Sequence, residues 1–157
     1  MTTNVSLYSN NKHGLARQAL KTGAKMKAII PKETWEYVPD CDKALPENEQ
    51  TKFILKPMTA AQHALYDDNA AQVVDGKYLV RHGTQNLMLL NFGLESVHNF
   101  NDEKGNPIQV ERDEHRAFHG VNPLTEDFLK RIPRPIQVEI AGEIYAGNII
   151  GEEEVKN

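Results

Sequence analysis

After Pro133 and Pro135, isoleucines recur at Ile136, Ile140 and Ile144, with Ala141 and Tyr145 beside them and Glu139 and Glu143 one turn apart on the opposite face. A branched apolar side chain every four residues marks an amphipathic helix, expected to begin after Pro135. Such a helix must cover its stripe, so the chain has to supply a core of its own or meet a partner's surface. Thr125 stands as N-cap to a short helix over 126–131, and Glu152, Glu153 and Glu154 make an acidic tail. We read this closing segment as a docking element. Its partner-binding residues would be Ile136, Ile140, Ile144, Glu152, Glu153 and Glu154, with the chain's own core as the competing use of the isoleucines.

A chain of 157 residues buries one core but hardly two, so a single folded domain is expected. That core is lean: 39% of residues are apolar, Gly not counted, and aromatics are few. The formal net charge is −4 with both signs along the chain, which gives no electrostatic reason to expect nucleic acid as partner. The basic stretch over 12–32 reads as a solvated arm. Cys41 is the only cysteine, so no internal disulfide is available, and its neighbours Asp40 and Asp42 disfavour a thiolate. Residues 1–6 lack the basic and apolar regions of a secretory signal. The longest apolar run, 87–90, is far short of the ~20 residues that cross a bilayer. A soluble protein made in the cytoplasm is the expectation.

Along the chain, an N-terminal arm over 1–33 holds a short helix near 15–21. Residues 34–38 alternate and favour a strand, 40–50 is an acidic loop, and 51–56 is a second strand. Trp35 or Tyr37 would face Phe53 or Leu55 across an antiparallel pair. Thr59 and Gln62 have the form of a capping box before a helix to about Ala71. A turn at 74–77 precedes a brief strand or helix approach at 78–81. Thr84 is expected to cap a helix over 85–92 that stops at Gly93. Residues 94–100 alternate imperfectly, 101–106 is a turn, Ile108 and Val110 suggest another short strand, and 111–122 is a polar connector. The whole reads as α+β, a small antiparallel sheet packed by short helices. It divides into an arm (1–33), an α+β core (34–120) in which 97–100 and 108–110 are candidates to join the sheet, and a C-terminal helical segment with acidic tail (121–157).

Catalytic and metal motifs are missing. His115 and His119 would share one face of a helix, with Asp113 as a third donor, but Arg116 stands where zinc proteases place a glutamate. A surface role suits that pair better, and no metal or cofactor is expected. His63, His82 and His98 are isolated, and the adjacent Asp67 and Asp68 would diverge by about 100° on a helix. No glycine-rich phosphate loop, nucleophile elbow or CxxC pair is present. The expectation is a protein that is not an enzyme.

Three stretches carry a family resemblance: Phe53-Ile54-Leu55-Lys56-Pro57-Met58-Thr59; the run from Asn91-Phe92-Gly93-Leu94 to Asp102-Glu103-Lys104-Gly105-Asn106-Pro107; and the close from Leu124-Thr125 through Glu139-Ile140-Ala141-Gly142-Glu143-Ile144 to Glu152-Glu153-Glu154-Val155-Lys156-Asn157. Together they resemble small proteins of tailed phages and prophages known as tail assembly chaperones, although Ser96 stands where that pattern has Trp. The resemblance implies a non-enzymatic protein of the host cytoplasm that binds the tape-measure protein, or the tail tube protein, while the tail grows. It implies neither nucleic acid nor membrane as partner. The alternative is a virion component, a capsid cement or head-tail connector protein bound to capsid or connector subunits, for which the long N-terminal arm is the argument.

Overall fold

The computed structural model describes residues 33–69 and 71–148. The N-terminal arm with its short helix, the basic stretch up to Lys32 and the acidic tail lie outside the described residues. Among the described residues the architecture is α+β: a three-stranded antiparallel sheet and four helices, with a separate two-stranded hairpin.

Strand β1 (Trp35–Tyr37) pairs with β2 (Lys52–Leu55), which pairs with β5 (Leu94–His98) on its other side. Cross-strand partners share a face, so Trp35 opposite Leu55 and Tyr37 opposite Phe53 set an apolar inner face. Glu36, Ile54 and Ser96 fall on the outer one. The register shifts between Ile54 and Leu55, where Ser96 and Leu94 are their respective partners. The extra residue, Glu95, lets Leu94 and Val97 both turn inward although they stand three apart. This bulge is why the alternation of 94–100 looks imperfect in the sequence.

Between β2 and β5, helix α1 (Ala60–Asp68) starts at the expected capping box: the Gln62 amide N–H donates to Thr59 Oγ1, and Thr59 N–H donates to Gln62 Oε1. It ends earlier than expected, at Asn69. Strands β3 (Ala71–Val74) and β4 (Lys77–Val80) form a hairpin around Asp75 and Gly76, both at positive φ. Helix α2 (His82–Gly93) begins two residues before Thr84, which lies within the first turn and caps nothing; Arg81 takes the cap position without a side-chain bond. Gly93 is its last helical residue and runs directly into β5.

Phe100 accepts a bond from Ile108 N–H at 2.7 Å, and isolated bridges pin 101 to 107, 112 to 124 and 118 to 121. No strand forms at 108–110. Ile108 is buried, but its neighbours make only these single bridges. Helix α3 (Glu126–Arg131) is capped by Thr125, whose Oγ1 accepts from Phe128 N–H at 3.1 Å. Helix α4 (Arg134–Asn148) starts one residue before Pro135, which occupies the first turn where no amide donor is needed.

One core joins the three-stranded sheet and the helices. Phe53, Leu55, Leu90, Phe92 and Leu94 meet Phe128, Ile132, Ile140 and Ile144, so the C-terminal helices complete the interior that the sheet and α2 begin. Among the described residues, no helix is long and apolar enough to cross a membrane.

Candidate functional site

Helix α4 is the element the sequence marks for docking, and its two sides differ. Ile140, Ala141 and Ile144 have no exposed surface and pack against α2 and the sheet, while Ile136 is half-buried against the same core. The docking role expected of Ile140 and Ile144 is therefore corrected: both side chains fill the chain's own core and cannot meet a partner while the domain is folded. Glu152, Glu153 and Glu154 lie outside the described residues.

The helix is held in place along its whole length. Buried Gln137 donates from Nε2 to the carbonyls of Leu129 and Ile132 at 2.8 and 2.9 Å, stitching α3 to α4. Glu139 Oε1 accepts both Tyr37 O–H and the Asp40 amide, the latter at 2.7 Å, which ties β1 and the following loop to the middle of α4. Burial, then the bond to Glu139, pushes the Tyr37 phenol well above its ordinary range. At the far end Asn148 Oδ1 accepts Met58 N–H at 2.7 Å.

What α4 leaves outside is a second stripe. Val138 is 46% exposed, and Gly142 and Ala146, one and two turns further on, are exposed as well. A Cβ placed on Gly142 would have no heavy atom within 4 Å outside its own helix backbone and chain neighbours. Sequence reasoning passed over this stripe because isoleucines carry the stronger periodic signal. The spacing 138, 142, 146 could have shown it.

The outer face of the sheet holds an open groove of about 710 Å3 lined by Glu36, Glu47, Asn48, Lys52, Ile54, His98 and Asn99. Lys52 Nζ lies 3.0 Å from Glu36 and 3.6 Å from Glu47, and the bond to Glu36 holds its ammonium above the usual range. The wall made by the loop after β1 is held by hydrogen bonds. Thr51 N–H donates to Asp42 at 3.0 Å, and Asn99 Nδ2 donates to the carbonyls of Asn48 and Gln50 at 3.2 and 3.1 Å.

Arg112 forms a further site that the sequence did not suggest. Its half-buried guanidinium donates to the carbonyls of Asn91, Leu94 and Asn122, and burial lowers its pKa. Asn91 completes the junction by accepting Leu124 N–H at 2.6 Å. This network closes the C-terminal end of α2 and is structural in purpose. The only sequence signal was an Asn among apolar neighbours.

The remaining candidates separate. No helix forms around His115 and His119, so the four-residue spacing does not bring them to one face; His115 is exposed and His119 sits at positive φ with its ring edge-on to Phe118. Among the described residues, no group of three or more His, Cys, Asp and Glu is placed to hold a metal ion. Cys41 is exposed, and the loss of some hydration together with its bond to Asp42 raises its pKa, which disfavours the thiolate. Compared with protein-family models, with curated proteins and with solved structures, the chain matches none of them.

Proposed function

We propose that this chain is a non-enzymatic assembly protein of a tailed phage or prophage, a tail assembly chaperone that binds the tape-measure protein. The observation that carries the reading is the outer stripe of α4. A glycine in the exposed middle of a helix costs roughly 1 kcal/mol relative to alanine, and the packing of this chain does not require one at Gly142. Small residues on a helix face let another helix approach closely, and exposed Val138 adds apolar area at the start of the stripe. A long helical chain such as a tape-measure protein suits that surface. The family resemblance of the closing segment, of which α4 is the centre, points to the same class of partner.

The test is quantitative mass spectrometry of lysate from producing cells and of purified particles. A chaperone is abundant in the lysate, co-purifies with the tape-measure protein and is missing from particles. A fixed copy number per particle would overturn the chaperone reading in favour of a virion component.

A further inference from the structure

The charges of this chain are divided by position. None of its 22 acidic residues precedes Glu33, whereas six of its 18 basic residues, Lys12, Arg17, Lys21, Lys25, Lys27 and Lys32, fall in the first 32. From Glu33 onward twelve cations therefore stand against 22 carboxylates. The groove on the outer face of the sheet belongs to this acidic part, on the side away from α4 and from the stripe assigned to the helical partner.

We propose that this groove receives the basic segment, residues 12–32, of a second copy of the chain, so that copies associate by exchanging these segments. Within the groove one ammonium, that of Lys52, faces two carboxylates. The Glu36 and Glu47 side chains remain 49% and 87% exposed, so their outward oxygens are open to further cations. Ile54 supplies the apolar part of the lining, and the loop that forms one wall exposes Leu45. Leu15, Leu20 and the alkyl stems of the lysines are the matching apolar groups of the incoming segment. Because the wall is already fixed by the bonds of Thr51 and Asn99, little of it has to be ordered on binding. Exchange gives two such contacts per pair of copies, and the second forms at a high effective concentration. Contacts between exposed charges are screened by salt, so the association weakens as ionic strength rises.

Sedimentation velocity of the full chain tests this in buffer of about 0.05 M and about 0.5 M ionic strength. The expected result is a concentration-dependent dimer at low salt whose dissociation constant rises at least roughly tenfold at high salt. Two charge-reversed variants, Glu36→Lys with Glu47→Lys and Lys21→Glu with Lys25→Glu and Lys27→Glu, are each expected to be monomeric alone and to dimerise when mixed, since each then offers what the other lacks. Unchanged melting temperatures show that the fold is intact. If the double lysine variant fails to fold, Glu47→Lys alone carries the same test. A wild-type chain that is monomeric at low salt overturns the proposal. So does a groove variant that still dimerises, or a mixture that stays monomeric, which is the result expected if the basic segment acts only within its own chain. All of these readouts are independent of the tape-measure protein, so failure here leaves the chaperone reading untouched, and the reverse holds as well.

Discussion

Gly147 on α4 lies directly beneath the indole of Trp35 on β1, so close that a Cβ at this position would overlap the ring. A second glycine makes the same kind of approach: Gly93 at the end of α2 faces Ile144, whose branched side chain occupies the place of a Cβ. These two contacts set how closely α4 can lie on the sheet and on α2. Replacing Gly147 or Gly93 by Ala is expected to destabilise by about 1–3 kcal/mol through overpacking, although Ala is intrinsically the better helix residue. Gly142→Ala, on the same helix but facing open space, is expected to stabilise by up to about 1 kcal/mol. Urea unfolding of the three variants checks the opposed signs. A stabilised Gly147→Ala would show that the indole is free to move aside.

The Arg112 junction should be intolerant of replacement. Arg112→Met removes a donor from the carbonyls of Asn91, Leu94 and Asn122, and a cost of about 2–4 kcal/mol is expected, since hydrogen bonds to charged groups contribute about 1.5–3 kcal/mol each and some carbonyls recover water. Arg112→Lys cannot reproduce the planar fork and should recover only part of the loss. Equal stability of wild type and Arg112→Met in denaturant titrations would contradict this.

Tyr37 gives the fold a dependence on alkaline pH. Its phenol is raised above the ordinary value of 10.0 by burial and by Glu139, so the folded state keeps a proton that the unfolded state releases. The stability linked to this group is fully present below pH 10 and is lost as pH rises beyond it. The urea midpoint is expected to fall more steeply above pH 10 for wild type than for Tyr37→Phe. Parallel curves would remove Tyr37 as the cause.

Much of the fold was legible because local chemistry and tertiary packing agree there. That Trp35 and Tyr37 face Phe53 and Leu55 across an antiparallel pair, though not which faces which, the capping box at Thr59 and Gln62, and the cap at Thr125 were readable from residue type and spacing. Three features were not. Thr84 has the chemistry of a cap, yet α2 starts before it, because the helix is anchored by burial of Met88, Leu90 and Phe92 and not by its first turn. Ile108 and Val110 alternate like a strand, but no neighbouring chain continues past single bridges. The bulge at Glu95 obscured the bounds of β5, expected to join the sheet over 97–100 and found at Leu94–His98, since a two-residue period cannot carry both Leu94 and Val97 inward.

The place of α4 was legible in part. Periodicity located α4 and its strongest stripe, but it could not say which surface that stripe would meet. Ile140 and Ile144 fall in the core because α4 lies against α2 and the sheet, an arrangement set by distant residues that the period alone does not reveal. Glu139 bonds to residues far away in sequence, and Gln137 reaches back across the break between α3 and α4, so neither polar anchor left a periodic pattern.

The most direct measurement is co-expression of this chain with a tailed-phage tape-measure protein, read by co-elution on size exclusion, for wild type, Val138→Asp and Ile140→Asp. Ile140→Asp places a charge in the core and is expected to cost about 3 kcal/mol or more, giving little folded protein whatever the partner. Val138→Asp changes an exposed residue, so its melting temperature should stay close to wild type. The account predicts that wild type co-elutes with a soluble tape-measure protein and that folded Val138→Asp does not. A wild-type chain that never co-elutes contradicts the proposed function, and a Val138→Asp variant that co-elutes as well as wild type contradicts the outer stripe of α4 as the surface that binds.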